Sequence, residues 1–332
     1  MSAIGDCIHT MPLVGAIRAR YPDAFIAWAT QPGPASLLTS YPGLDQVVIV
    51  KRDWMKSWHQ VTRLRRHLQS LKFDFSVDAQ SLTKSALLGW ISGARRRIGF
   101  AAPQGRELSL WLNNERIQPR SDHVVDRYLE LLKPILGDEL PEARFELPVT
   151  EHEVVKQFLD NTGLRDGYAV INPGAGWDSK LWLPARFGRV ARHLGDMHRL
   201  PTVVVWAGHR ELIWAKEIVA RSGGHAWLAP DTSLPELASV LSQARLCVAA
   251  DTGPLHLAAA VGTPCVGLYG PTRPRHSGPY GQGHQTVQVY YQSGSSRERR
   301  QADNDAMRAI EVAMVTNACD RVIARSRGSR AA

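Results

Sequence analysis

Apolar residues along this chain fall into two alternating patterns: short β-branched runs, and longer stretches in which they recur every three or four positions. The first pattern belongs to buried strands of a parallel sheet, the second to amphipathic helices that cover it. The first half predicts strands over 25–29, 46–50, 73–78 and 97–100, and helices over 8–20, 60–71, 81–91 and 124–136. The second half repeats the rhythm, with strands over 168–172, 202–207, 246–250 and 265–269 and helices opening at Pro184, Glu211, Leu234 and Pro254. This alternation predicts an α/β protein of two doubly wound domains. Pro141 and Pro148 bracket an extended segment, and Gly163 and Gly167 punctuate the approach to the next strand, which sets the expected domains at 1–150 and 151–332. A doubly wound domain opens with a strand, yet 2–6 reads as the loop that follows one. Either the start lies about ten residues upstream, or an inner strand is absent and the first sheet has a gap whose backbone groups are satisfied otherwise.

Composition narrows the class. With 332 residues, 44% hydrophobic and 21% charged, the chain is neither disordered nor collagen-like and needs no disulfide or metal staple. Cys7, Cys247, Cys265 and Cys319 are scattered without a CxxC pair or a partnering His spacing, which argues against a zinc or redox site and fits a reducing cytoplasm. No secretory leader pattern opens the chain, and its apolar runs fall far short of the roughly 20 residues of a bilayer helix.

The formal charge of +9 points to an acidic partner: nucleic acid, a phosphorylated substrate or an anionic membrane surface. A dense basic run lies in the first half, around Lys51, Arg52, Lys56, Arg63, Arg65 and Arg66, where Trp54 and Trp58 add the interfacial aromatics that suit a lipid surface. A second basic cluster over 297–330 is mixed with acids and ends in a Ser/Gly/Arg tail expected to fray. No RNP-type, helix-turn-helix or zinc-finger pattern supports a nucleic-acid protein.

Three loops carry candidate chemistry. Asp251-Thr252-Gly253-Pro254-Leu255-His256 follows the strand over 246–250 and reads as a helix start, with Asp251 and Thr252 as caps, Gly253 allowing close approach to the main chain, and Pro254 in the first turn. Such a turn at the carboxyl end of a sheet favours a phosphate, or is simply a well-capped helix with His256 satisfied by a neighbour. Asn172-Pro173-Gly174-Ala175-Gly176-Trp177-Asp178-Ser179-Lys180 offers a tight backbone curve and a point charge, though it is neither a P-loop nor GxGxxG. In Trp206-Ala207-Gly208-His209-Arg210-Glu211, the acid at a strand end is placed to accept hydrogen bonds from ribose hydroxyls, or else merely favours a helix dipole. Together the loops suggest a nucleotide-diphosphate site.

On Ser2-Ala3-Ile4-Gly5-Asp6-Cys7-Ile8-His9-Thr10-Met11-Pro12, Lys180-Leu181-Trp182 and Asp251-Thr252-Gly253-Pro254-Leu255-His256, the chain resembles the lipopolysaccharide heptosyltransferases of glycosyltransferase family 9. The likeness extends to Asp78-Ala79-Gln80-Ser81-Leu82-Thr83-Lys84-Ser85, Arg96-Arg97-Ile98-Gly99-Phe100 and Tyr269-Gly270-Pro271-Thr272, and its SGARRRIGF stretch leans towards heptosyltransferase I. The resemblance implies a GT-B fold, two Rossmann-like domains facing across a cleft, the first lacking its opening strand. It implies inverting transfer of heptose from ADP-heptose to a Kdo-bearing lipid A core, by a monomer on the cytoplasmic face of the inner membrane, with no cofactor and no metal. Carried over by motif, Asp6 is the catalytic base and Lys180 meets the donor diphosphate. Glu211 falls at the ribose-binding acid, and Ala175, Gly176, Thr232, Asp251, Thr252, Gly253 and His256 fall at other donor positions; Ala175 and Gly176 depart from the family's hydroxyl residues. Gln80, Lys84 and His123 are the acceptor candidates. Another sugar or acceptor, or a sugar-nucleotide-binding protein without catalysis, remains the alternative on the motifs alone.

Overall fold

The structure, a computed structural model, describes the backbone over residues 4–331 and side chains over 4–326, so the loop reading at Ser2 and Ala3 lies outside the described residues. The chain divides into two compact units, Met1–Glu146 and Leu147–Ala332.

The first unit opens with α1 (Ile4–Thr10) and α2 (Pro12–Arg20), then runs β1 (Ala27–Thr30), α3 (Pro32–Leu38), β2 (Gln46–Ile49), α4 (Trp58–Ser70) and β3 (Phe75–Asp78). It continues through α5 (Thr83–Ile91), β4 (Arg96–Phe100), α6 (Ser109–Leu112), β5 (Glu115–Ile117), α7 (Val124–Glu130) and α8 (Lys133–Leu136). Two expectations are corrected here. Ile4, Gly5 and Asp6 are helical rather than loop, and the helix expected over 8–20 breaks at Met11, because Pro12 has no N–H to continue the ladder and instead begins a new helix. Similarly, the helix expected over 124–136 divides ahead of Pro134. All strand pairs are parallel, but they form two separate sheets, β1-β2 and β3-β4-β5; among the described residues no strand lies between β1 and β3. Trp54 is buried against Val48 and Leu68, so it belongs to the core rather than to a lipid-facing surface.

The second unit runs α9 (Glu153–Thr162), β6 (Ala169–Asn172), α10 (Pro184–His198), β7 (Thr202–Val204), α11 (Gly208–Arg221), β8 (Ala226–Leu228) and α12 (Leu234–Ser242). Then follow β9 (Leu246–Ala250), α13 (Gly253–Ala260), β10 (Cys265–Leu268), α14 (Pro274–Ser277), β11 (Gln285–Val287), α15 (Ser296–Gln301), α16 (Asp305–Arg308) and α17 (Val312–Ala331). Its six strands form one parallel sheet in the order β11-β10-β9-β6-β7-β8. On one face, Ile171, Val204 and Val248 of the sheet pack with Phe187 and Leu194 of α10 and Val315 and Val322 of α17. The tail expected to fray is helical to Ala331, continuing a helix whose earlier turns are anchored in this core.

Candidate functional site

In the second unit the chain builds outward from β6 in one direction and returns to β9 to build in the other. Adjacent β6 and β9 therefore mark the switch point where a doubly wound sheet leaves a crevice beyond its strand ends. The loop after β6 supplies Lys180 and the loop after β9 supplies Asp251, residues that sequence alone leaves on separate segments. The Lys180 ammonium lies 2.7 Å from Asp251 Oδ2 and donates to the Asp251 carbonyl at 3.1 Å, while Trp177 presents its ring 4.6 Å beneath the same cation. His256 Nε2 lies 3.0 Å from the other carboxylate oxygen, Oδ1. Asp251 and His256 are each 6% exposed and Lys180 14%, so these charges interact in a poorly screened environment. Burial pushes the Asp251 carboxyl up, but the hydrogen bond from His256 and the Lys180 charge reverse that and hold it far below the usual carboxylate range.

The capping expectation is corrected. Asp251 spends its carboxylate on Lys180 and His256, and Thr252, the N-cap of α13, makes no side-chain cap bond; its hydroxyl lies 3.5 Å from Asn172 Nδ2. The first turn of α13 thus keeps its dipole without a side-chain acceptor at the N-cap, beside a lysine. Gly253 is half-buried at its mouth.

Glu211 is not at a strand end: β7 stops at Val204, and Glu211 lies in the first turn of α11, where Oε2 accepts the Ala207 N–H at 2.8 Å. Burial raises its carboxyl above the ordinary value, against the Ala207 hydrogen bond and the Arg210 charge. A Cβ on Gly174 would sit 2.1 Å from Glu211 Oε1, so Gly174 serves close approach between the two loops rather than a turn. Around Gly176 space is open, and Ala175 is half-buried. Thr232 is half-buried between β8 and α12.

Sequence reasoning set aside the basic cluster over 297–330 as a solvated face. In the fold, α15 packs on the turn Asp178–Lys180, and Arg300 and Arg299 approach the Trp177 ring at 5.0 and 6.0 Å. Their only signal in the sequence is charge. Asn172, buried between Gly174 and Thr252, and Ser277, whose hydroxyl lies 3.5 Å from Asp251 Oδ2, were also missed.

The remaining candidates are in the first unit. Asp6 occupies the first turn of α1, and its charge helps burial to raise the Tyr128 hydroxyl. The packing of α1 on α7 brings His123, whose Nδ1 accepts the Val125 N–H at the start of α7, edge-on to His9 with ring centroids 6.2 Å apart. Gln80 and Lys84 flank a tight turn after β3. There Ser81, at φ 48°, donates to the Asp78 carbonyl and accepts from Phe100 N, while Asp78 accepts from Ser81 N and Asn113 Nδ2. Burial raises the Asp78 carboxyl despite those bonds. Gln80 is half-buried and Lys84 exposed.

Residues 61–306 match the profile of glycosyltransferase family 9 (heptosyltransferase). Lipopolysaccharide heptosyltransferase 1 of Pseudomonas aeruginosa is 31% identical over 85% of this chain and 80% of its own, and that of Salmonella typhimurium 29% identical over 85% and 90%. Among solved structures, the Escherichia coli heptosyltransferase WaaC with ADP-2-deoxy-2-fluoro heptose aligns at TM-score 0.74 and 25% identity, covering 98% of each chain. A family 9 glycosyltransferase from Veillonella parvula aligns at TM-score 0.84 and 20% identity, over 98% of this chain and 96% of that one.

Proposed function

The chain belongs to glycosyltransferase family 9, the heptosyltransferases, and from that premise we propose that it transfers heptose, with inversion, from ADP-heptose to the Kdo-bearing lipid A core of lipopolysaccharide. The observation that carries this reading is the contact of Lys180 with Asp251 beside the opening turn of α13, at the switch point of the second sheet. An ammonium has three N–H groups, and Asp251 takes two of them, so the third remains for a phosphate oxygen. The Thr252 and Gly253 end of α13 adds backbone N–H groups and a favourable dipole. Glu211 accepts from the ribose hydroxyls, Ala175 and Gly176 offer backbone contacts to phosphate, and Thr232 and His256 complete the donor site.

On the acceptor side Asp6 is the base, with Gln80, Lys84 and His123 binding the acceptor. The acceptor oxygen attacks the anomeric carbon, its proton passes to the Asp6 carboxylate, and the carbon–oxygen bond to phosphate breaks to release ADP. Negative charge then gathers on the terminal phosphate, where Lys180 and α13 stabilise it more than they do the intact donor.

The lipid-linked acceptor calls for work at the inner leaflet. Supporting this, the first unit exposes Trp58 (81%) on the stretch of chain that carries Lys56, Arg63, Arg65 and Arg66, and exposes Trp111 (84%) as well. The test is ADP release from ADP-heptose with and without Kdo-lipid A. Acceptor-dependent release is expected; a chain that binds ADP yet shows no release with this pair does not have this activity.

A further inference from the structure

Where α10 packs on α17 the residues between them are mostly apolar, Val190, Leu194, Val315 and Cys319 all being buried. Three polar side chains break that pattern: His193 and His198 of α10 and Asp320 of α17. His198 is the last residue of α10, which joins the parallel strands β6 and β7, so this end of the helix lies beside the starts of the strands. The cluster is therefore at the sheet edge opposite to the loops that carry Lys180 and Asp251, and takes no part in the donor site.

Its geometry is that of a ligand set. Both imidazoles turn the same atom, Nε2, towards one point, Asp320 Oδ1, at 2.8 and 2.6 Å. The two nitrogens and a carboxylate oxygen lie within 4.8 Å of one another. Zinc bonds of about 2.0–2.2 Å in a tetrahedral site hold the donors about 3.3 Å apart, so small side-chain rotations bring all three onto one ion. The side chains of His193, His198 and Asp320 are 25, 16 and 38% exposed, open enough for an ion to enter from solvent and for water to take a fourth position.

Charge points the same way. Among the described residues the two histidines are the only hydrogen-bond and ion-pair partners of Asp320, and no bond is made to its Oδ2. While the imidazoles are neutral, the carboxylate charge has no fixed cation beside it, and a divalent ion supplies one. Each imidazole then gives its Nε2 lone pair to the ion and carries its single proton on Nδ1. Two nitrogens and one carboxylate oxygen suit zinc, whereas magnesium and calcium take oxygen ligands.

We propose that His193, His198 and Asp320 bind one divalent transition-metal ion of the zinc type, which ties α17 to the end of α10. The role is structural, and without metal the same three groups keep their hydrogen bonds. The scattered cysteines argue against a zinc site of their own kind, but they say nothing of this one, because its ligands are 122 and 127 residues apart and only the fold brings them together.

The test titrates Zn²⁺ alone into the chelator-stripped full chain by calorimetry. Saturable uptake of one equivalent per chain is expected, at least tenfold weaker in His193→Gln and in Asp320→Asn, changes that keep a side-chain amide able to hydrogen-bond between the helices. In the wild-type protein Zn²⁺ is also expected to slow amide hydrogen exchange at least tenfold over 192–198 and 316–324. Should a variant fail to fold, this wild-type exchange decides. No uptake overturns the proposal, as does uptake that a folded variant leaves unchanged, or uptake without slowing over these two segments, since each places the ion elsewhere or nowhere. None of these readouts depends on the glycosyltransferase activity.

Discussion

At the scale of single residues, each proposed role has its own signature. Asp6→Asn is expected to lower turnover by about 10²–10⁴-fold, the usual worth of a general base, while calorimetry finds ADP affinity unchanged. Lys180→Ala is expected to reduce turnover by on the order of 10²-fold or more, with a smaller loss of ADP affinity. It also leaves Asp251 buried without its cation, so urea unfolding should show a loss of about 3 kcal/mol. The sign of the pH effect follows from Asp251: its folded-state pKa lies below the unfolded one, so its contribution is present above the unfolded carboxyl range and is lost as pH falls from there towards the folded value. The stability gap between wild type and Lys180→Ala should therefore be steady near neutrality and shrink in acid. Gly174→Ala separates donor geometry from folding. The added methyl meets the movable end of Glu211, so the fold should tolerate it while ADP binding weakens about tenfold, as for loss of one charge-assisted hydrogen bond.

Between elements, the second unit is clasped by a polar contact within an otherwise apolar seam. His193 and His198 of α10 place their Nε2 atoms 2.8 and 2.6 Å from Asp320 Oδ1 on α17. Burial pushes the Asp320 carboxyl up, and the two histidines more than reverse this, leaving it below its ordinary value. The clasp therefore contributes above the unfolded carboxyl pKa and is lost as pH falls through the folded one. Asp320→Ala should cost about 1 kcal/mol near neutrality, read by thermal unfolding, and little in strong acid. The same seam explains why the C-terminal segment is helical: its charged composition reads as a tail, but Val315, Cys319 and Val322 point into the core one helical turn apart. Sequence periodicity located β9 at its observed bounds and β2, β3 and β10 to within two residues, because buried parallel strands are continuous apolar runs. It missed β5, β8 and β11, three-residue strands at sheet edges whose partly exposed residues make no continuous apolar run.

For the molecule as a whole, the basic first unit with its exposed tryptophans should bind anionic vesicles, and Trp58→Ala with Trp111→Ala should weaken that binding severalfold in a sedimentation assay without lowering turnover on a soluble acceptor. The sequence by itself determined the α/β alternation and the helix start that follows β9. These rest on local preferences: apolar period, proline and glycine punctuation, and the residues that start helices. Only the tertiary structure decided that Lys180 and Asp251, 71 residues apart, share a hydrogen bond, and that Arg299 and Arg300 lean on Trp177. It alone moved Trp54 into the core and put a cavity between β1 and β3. Those outcomes depend on which strands become neighbours, and strand order is settled by long-range packing that no window of sequence contains.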